Sequence, residues 1–141
     1  MQIKGVLHEL SRRWKVDIPT NSPTIIIQDN QQKNWYIDCP TDSSQLVIYT
    51  FLLDKPTTFE ELSYWFSLNG NRSRMQSAWI AEKDEQILLG ISMPVEFIDA
   101  NLVENLMNNL HELSASIMSD FHRHVGSSSA FLAPADHTIF V

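Results

Sequence analysis

Apolar residues open the chain at Ile3, Val6, Leu7, Leu10 and Trp14, spaced 3, 1, 3 and 4. Those intervals keep them on one side of a helix and predict an amphipathic first element, with Lys4, Glu9, Arg12 and Arg13 on the other side. Pro19 and Pro23, with Asn21 and Ser22 between them, then break the chain into a loop. From residue 24 the pattern shortens. Thr24-Ile25-Ile26-Ile27 is β-branched throughout, and a polar turn over Asp29-Asn30-Gln31-Gln32 leads to a return strand at Trp35-Tyr36-Ile37. After a second turn at Thr41–Ser44, the run Leu46–Leu53 is apolar along its whole length, as expected of a central strand. Connections this short imply antiparallel pairing.

Thr58 followed by Glu61 reads as a capping box, opening a helix with Phe59, Leu62, Tyr64, Trp65, Phe66 and Leu68 and closing at Asn69-Gly70. Residues 75–82 and 85–91 form a second hairpin across Lys83-Asp84. Asp99 is placed to cap a last helix over about residues 97–123, whose face is Leu102, Leu106, Leu110, Leu113, Ile117 and Phe121. The expected fold is α+β, in the order α-β-β-β-α-β-β-α, with helices packed on a twisted antiparallel sheet. Residues 1–125 make one domain. Residues 126–141 make a tail in which Ser127-Ser128-Ser129 reads as flexible, while Phe131, Leu132, Ile139, Phe140 and Val141 read as docking groups.

Composition narrows the function. The 141 residues carry a formal charge of −7, which disfavours phosphate backbones and anionic membranes. Residues 1–22 hold four basic and two acidic groups, while residues 75–122 hold eight acidic groups and only Lys83 on the basic side. Such a face is ordinarily just solvated, but it also attracts basic segments. The single cysteine, Cys39, allows no internal disulfide and points weakly to a reducing compartment. No signal peptide or membrane span is visible, so a cytoplasmic location and no membrane insertion are expected.

Candidate chemistry fails on its parts. His111-Glu112 opens like a zinc-binding helix motif, but Ala115 stands where the second histidine belongs. His122 and His124 point apart on a helix, with only His137 nearby as a third ligand. Cys39 sits beside Asp38, which would raise the thiol pKa. The four glycines are isolated, so neither a phosphate loop nor a dinucleotide fingerprint can be written. No catalytic residue, metal or cofactor is expected. The bulky middle helix says more. Aromatics around most of its circumference suggest burial both on its own sheet and on a second chain.

The arrangement resembles the class I type III secretion chaperones of Gram-negative bacteria. The resemblance rests on a first helix ending at Trp14, then three strands, and a middle helix ending Trp65-Phe66-Ser67-Leu68-Asn69-Gly70. It continues through a hairpin from Ala78-Trp79-Ile80-Ala81 to Gln86–Ile91, and Met93-Pro94-Val95 before the long helix. It covers about residues 1–122 and lies in order, length and acidity together. It implies a non-enzymatic homodimer without cofactors. The dimer contact would use Leu62, Trp65 and Phe66, with Met75 and Trp79. It also implies that the N-terminal chaperone-binding segment of one or more secreted effectors wraps the protein and stays soluble and secretion-competent. The groove walls would be Ile3, Val6, Leu7, Leu10, Ile25, Ile27 and Trp35, with some of these expected in the core instead. The secretion ATPase is a further implied partner. The alternative on the same fold is a regulator that sequesters a transcription or secretion factor.

Overall fold

The computed structural model describes residues 3–20, 22–39 and 43–135, with side chains described as far as Val125. The elements are α1 (Ile3–Trp14), β1 (Thr24–Gln28), β2 (Asn34–Asp38), β3 (Gln45–Asp54), α2 (Phe59–Gly70), the one-turn α3 (Arg72–Met75), β4 (Ala78–Lys83), β5 (Gln86–Pro94) and α4 (Ala100–Ala135). The strands form one antiparallel sheet in the order β1-β2-β3-β5-β4. The long apolar β3 is its centre, as its pattern predicts.

Local chemistry sets the element ends. Lys15 takes a positive φ of 55° after α1, and the Val16 N–H turns back to the Ser11 carbonyl, the closure typical of a helix C-terminus. Asp29 shapes the first hairpin by accepting from the Gln31 and Lys33 N–H groups at 2.8 and 3.0 Å. Thr58 caps α2 through the Glu61 N–H, and Asp99 caps α4 through the Leu102 N–H. The second hairpin turns at Asp84 and Glu85, one residue later than the pattern suggests. Both take positive φ, 52° and 62°, as a two-residue turn between twisted strands requires.

Three boundaries differ from the sequence expectation. Gly70 has no positive φ and stays helical; the break falls at Asn71, which then caps α3 through the Arg74 N–H. Residues 75–77 are therefore not strand, and Met75 closes a helical turn. The backbone of α4 runs through Gly126 and the three serines to Ala135. Serine lowers helix propensity without forbidding it, and one glycine costs only about 1 kcal/mol against alanine. The docking groups expected in the tail lie outside the described side chains.

One face of the sheet carries the helices. Ile25, Ile27, Trp35, Ile37, Leu46, Ile48, Ile80, Ile87 and Leu89 meet Val6, Leu7 and Leu10 of α1, Trp65 and Leu68 of α2, and Val103, Leu110, Ile117 and Phe121 of α4. The opposite face carries a cross-strand row in register: Ile26, Tyr36, Tyr49, Gly90 and Trp79. Tyr36 and Tyr49 stack at 5.0 Å, and Phe51 meets both edge-on. The row needs glycine at position 90, because a Cβ there would stand 2.7 Å from the Trp79 ring.

Candidate functional site

The two edges of the sheet differ. At β4 the outward backbone of Ile80 and the Ala78 carbonyl are occupied, while among the described residues nothing pairs with that of Glu82. The Asn69 side chain binds both the N–H and the C=O of Ile80, at 2.7 and 2.9 Å, as a neighbouring strand would. The Arg72 guanidinium takes the Ala78 carbonyl at 2.9 Å. The last turn of α2 and the first residue of α3 thus plug much of this edge, a recognised guard against unwanted strand pairing.

At β1 the edge is open. The Asp29 N–H bonds Lys33 and the Cys39 N–H bonds the Pro23 carbonyl. Alternation therefore turns the backbone of odd-numbered residues toward β2 and that of Thr24, Ile26 and Gln28 outward. The Ser22 hydroxyl closes off Thr24 by accepting from its N–H and donating to its C=O. Among the described residues nothing pairs with the backbone of Ile26 or Gln28. The Ile26 side chain is 58% exposed beside them.

A groove of ≈ 490 Å³ begins where β1 ends. Its lining includes Trp14, Val16, Ile27, Gln28, Trp35, Met107 and His111, with Asp29 and Glu104 as its carboxylates. The Trp14 indole N–H donates to Glu104 at 2.8 Å, and the Trp35 indole N–H donates to Asp29 at 3.0 Å. Burial pulls the Asp29 carboxyl upward, but the bonds from Trp35, Lys33 and Gln31 outweigh it and hold its pKa below the ordinary 3.8. Lys33 packs its ammonium over the Trp35 ring and onto the Ser114 hydroxyl; burial pushes its pKa down, and Asp29 opposes the shift.

The expected groove walls are mostly core. Val6, Leu7, Leu10, Ile25 and Trp35 are almost fully buried and Ile27 nearly so, while Ile3 is only partly covered. Residues facing the helices are mostly consumed in making the domain; Ile27 and Trp35 still line the groove at the end of β1, and the exposed apolar side chain on β1 itself comes from the opposite parity. Ile26 is the residue missed. Its signal was present: in a hairpin with this turn it lies opposite Tyr36, between the polar positions Thr24 and Gln28.

The dimer residues divide likewise. Trp65 is 0% exposed and Met75 is nearly as deep, so neither offers a surface; both are corrected to core. α4 and β4 cover that side of α2, where the Tyr64 hydroxyl also reaches the Ile117 carbonyl. Leu62 and Trp79 are half-buried, and Phe66 is 60% exposed. Phe59, 81% exposed, joins Leu62 and Phe66 at spacings of 3 and 4. The Cys39 thiol is raised by burial, not by Asp38 as its neighbour in sequence suggested. Among the described residues no group of three His, Cys, Asp or Glu could hold a metal ion, and no helix is long and apolar enough to cross a membrane.

No protein-family model and no curated protein matches the sequence. Solved structures do. The HopA1–SchA chaperone–effector complex matches with a TM-score of 0.66 and 14% identity, over 80% of this chain and 90% of that one. The heterodimeric ExoU–SpcU complex of the Pseudomonas aeruginosa type III secretion system gives 0.64 and 15%, over 82% and 94%. The Yersinia pestis type III secretion chaperone SycH, in complex with a stable fragment of YscM2, gives 0.60 and 13%, over 81% and 98%. The chain has the fold of the type III secretion chaperones. At these identities the likeness is one of fold, and function has to come from the site.

Proposed function

We propose that this protein is a cytoplasmic type III secretion chaperone of a Gram-negative bacterium. It binds an N-terminal segment of one or more effectors and keeps them soluble and competent for export. The observation that carries this reading is the asymmetry of the sheet edges. One is plugged by Asn69 and Arg72, and the other offers the backbone of Ile26 and Gln28 beside an exposed isoleucine. A segment held in extended form gains main-chain hydrogen bonds from such an edge, with side-chain specificity from the grooves at its side. Binding of this kind masks apolar surface and needs no turnover.

The same reading gives the protein a second copy of itself. Phe59, Leu62 and Phe66 form an apolar stripe along the outer side of α2, and aromatic stripes of this kind are characteristic of protein interfaces. The dimer would have a mass twice 16.2 kDa.

Tagged co-purification from the native cell, with mass spectrometry of the captured proteins, tests the function. A secreted protein held through its N-terminal region is the expected result. Capture of a DNA-binding protein or secretion regulator, with no exported protein, would replace the reading with the regulatory one.

A further inference from the structure

The groove beside β1 has no Lys or Arg in its lining, His111 being its one basic side chain, and its two carboxylates are fixed in place. Trp35 holds Asp29 and Trp14 holds Glu104, each through an indole N–H. Asp29 has no ion-pair partner among the described residues. Glu104 shares Arg13 with Glu9, and 30% of its side chain remains exposed. The rest of the lining includes apolar surface from Trp14, Val16, Ile27 and Met107. Gln28 belongs both to the open edge and to the groove, so the two are continuous.

A strand added to β1 would continue the alternation of the sheet. Its side chains next to Ile27 would fall on the helix-bearing side, where the groove lies. An apolar side chain there would cover the exposed part of both carboxylates and add no partner to those they already hold, and an acidic one would be repelled. A side chain with an apolar stem and a cationic head suits both the walls and the carboxylates. We propose that the groove receives one Arg or Lys side chain of the bound polypeptide, its stem along Trp14 and Met107 and its head at Asp29 and Glu104. This specifies the partner's chemistry and rests on the strand-binding reading above.

The test selects binders from a random peptide library displayed on phage, against the full chain and against Glu104→Gln. Glutamine keeps an acceptor for the Trp14 N–H, and thermal melts check that the variant is folded. The best wild-type binder is then remade with its basic residue replaced by glutamine. Fluorescence anisotropy measures both peptides on both proteins, and amide exchange of Ile26 and Gln28 reports pairing at the edge. The expected result is a family of peptides with one shared Arg or Lys that protects the Ile26 and Gln28 amides. Its replacement should weaken binding on the order of tenfold on the wild type and far less on Glu104→Gln. Peptides that protect both amides but share no basic position, or lose the same factor on both proteins, overturn the groove assignment and leave the strand reading standing. Enrichment of no peptide that protects those amides overturns both.

Discussion

Replacing Trp65 separates packing from hydrogen bonding at one position. Its ring lies against Tyr64 at 5.4 Å and Phe121 at 5.0 Å, it has no exposed surface, and its indole N–H is buried without a partner. Trp65→Ala removes the whole ring and should cost about 3–5 kcal/mol. Trp65→Phe keeps most of the contact. The smaller void it leaves costs roughly 1–2 kcal/mol at ~24 cal/mol per Å³ of residual cavity. Removing an unsatisfied buried donor returns about 1–3 kcal/mol. The two effects oppose each other, so Trp65→Phe should lie within about 1 kcal/mol of the wild type. Urea denaturation followed by far-UV circular dichroism, at one protein concentration, gives both values from midpoints and a common slope. If Trp65→Phe costs as much as Trp65→Ala, the N–H is satisfied after all and the reasoning fails. A charged residue at 65 should prevent folding, whereas a folded monomer would return Trp65 to an interface.

Phe66→Glu should leave the protomer folded, as changes at exposed positions do, and lower the apparent stability only by the association free energy lost, while the sedimentation-equilibrium mass shifts from twice 16.2 kDa to 16.2 kDa; a wild type already monomeric at micromolar concentration would sink the dimer. Asn69→Ala removes both side-chain bonds to Ile80 and should cost about 1–3 kcal/mol, with concentration-dependent aggregation visible in light scattering because the β4 edge is opened. Glu85→Gly relieves a side chain held at positive φ and should stabilise by up to about 1 kcal/mol in the same urea assay. Asp29 has a folded pKa below its ordinary 3.8, so its contribution is present above that value and lost as pH falls through the lower folded pKa. The melting-temperature advantage of wild type over Asp29→Asn should therefore shrink on acidification; an advantage that grows in acid would contradict the assignment.

The sequence carried much of the fold because its periodic segments are unambiguous. The helical spacing in residues 3–14, the caps at Thr58 and Asp99, and the run at 46–53 each rest on interactions within a few residues, and each appears where expected. The boundaries that moved lack such local signals. Asp84-Glu85 turns a hairpin without a glycine or asparagine, and Gly70 sits in a helix that could equally have ended there. The site was harder to read. Ile25, Ile26 and Ile27 are identical in chemistry, and the only local sign of which parity faces away from the helices is the polar pair Thr24 and Gln28 on either side of Ile26.

By itself the sequence determined the order of elements, the antiparallel sheet and its central strand, because hydrophobic periodicity and capping act over short distances. Only the tertiary structure decided which side chains remain at the surface. Trp65 and Met75 are as apolar as Phe59 and Phe66, but α4 and β4 close over the first pair and leave the second in water. The plugged edge at Ile80 likewise depends on Asn69 reaching particular backbone groups, and the open edge at Ile26 on no described segment reaching them. Burial and edge pairing depend on which distant segments meet, and the spacing of residues along the chain does not encode those contacts locally.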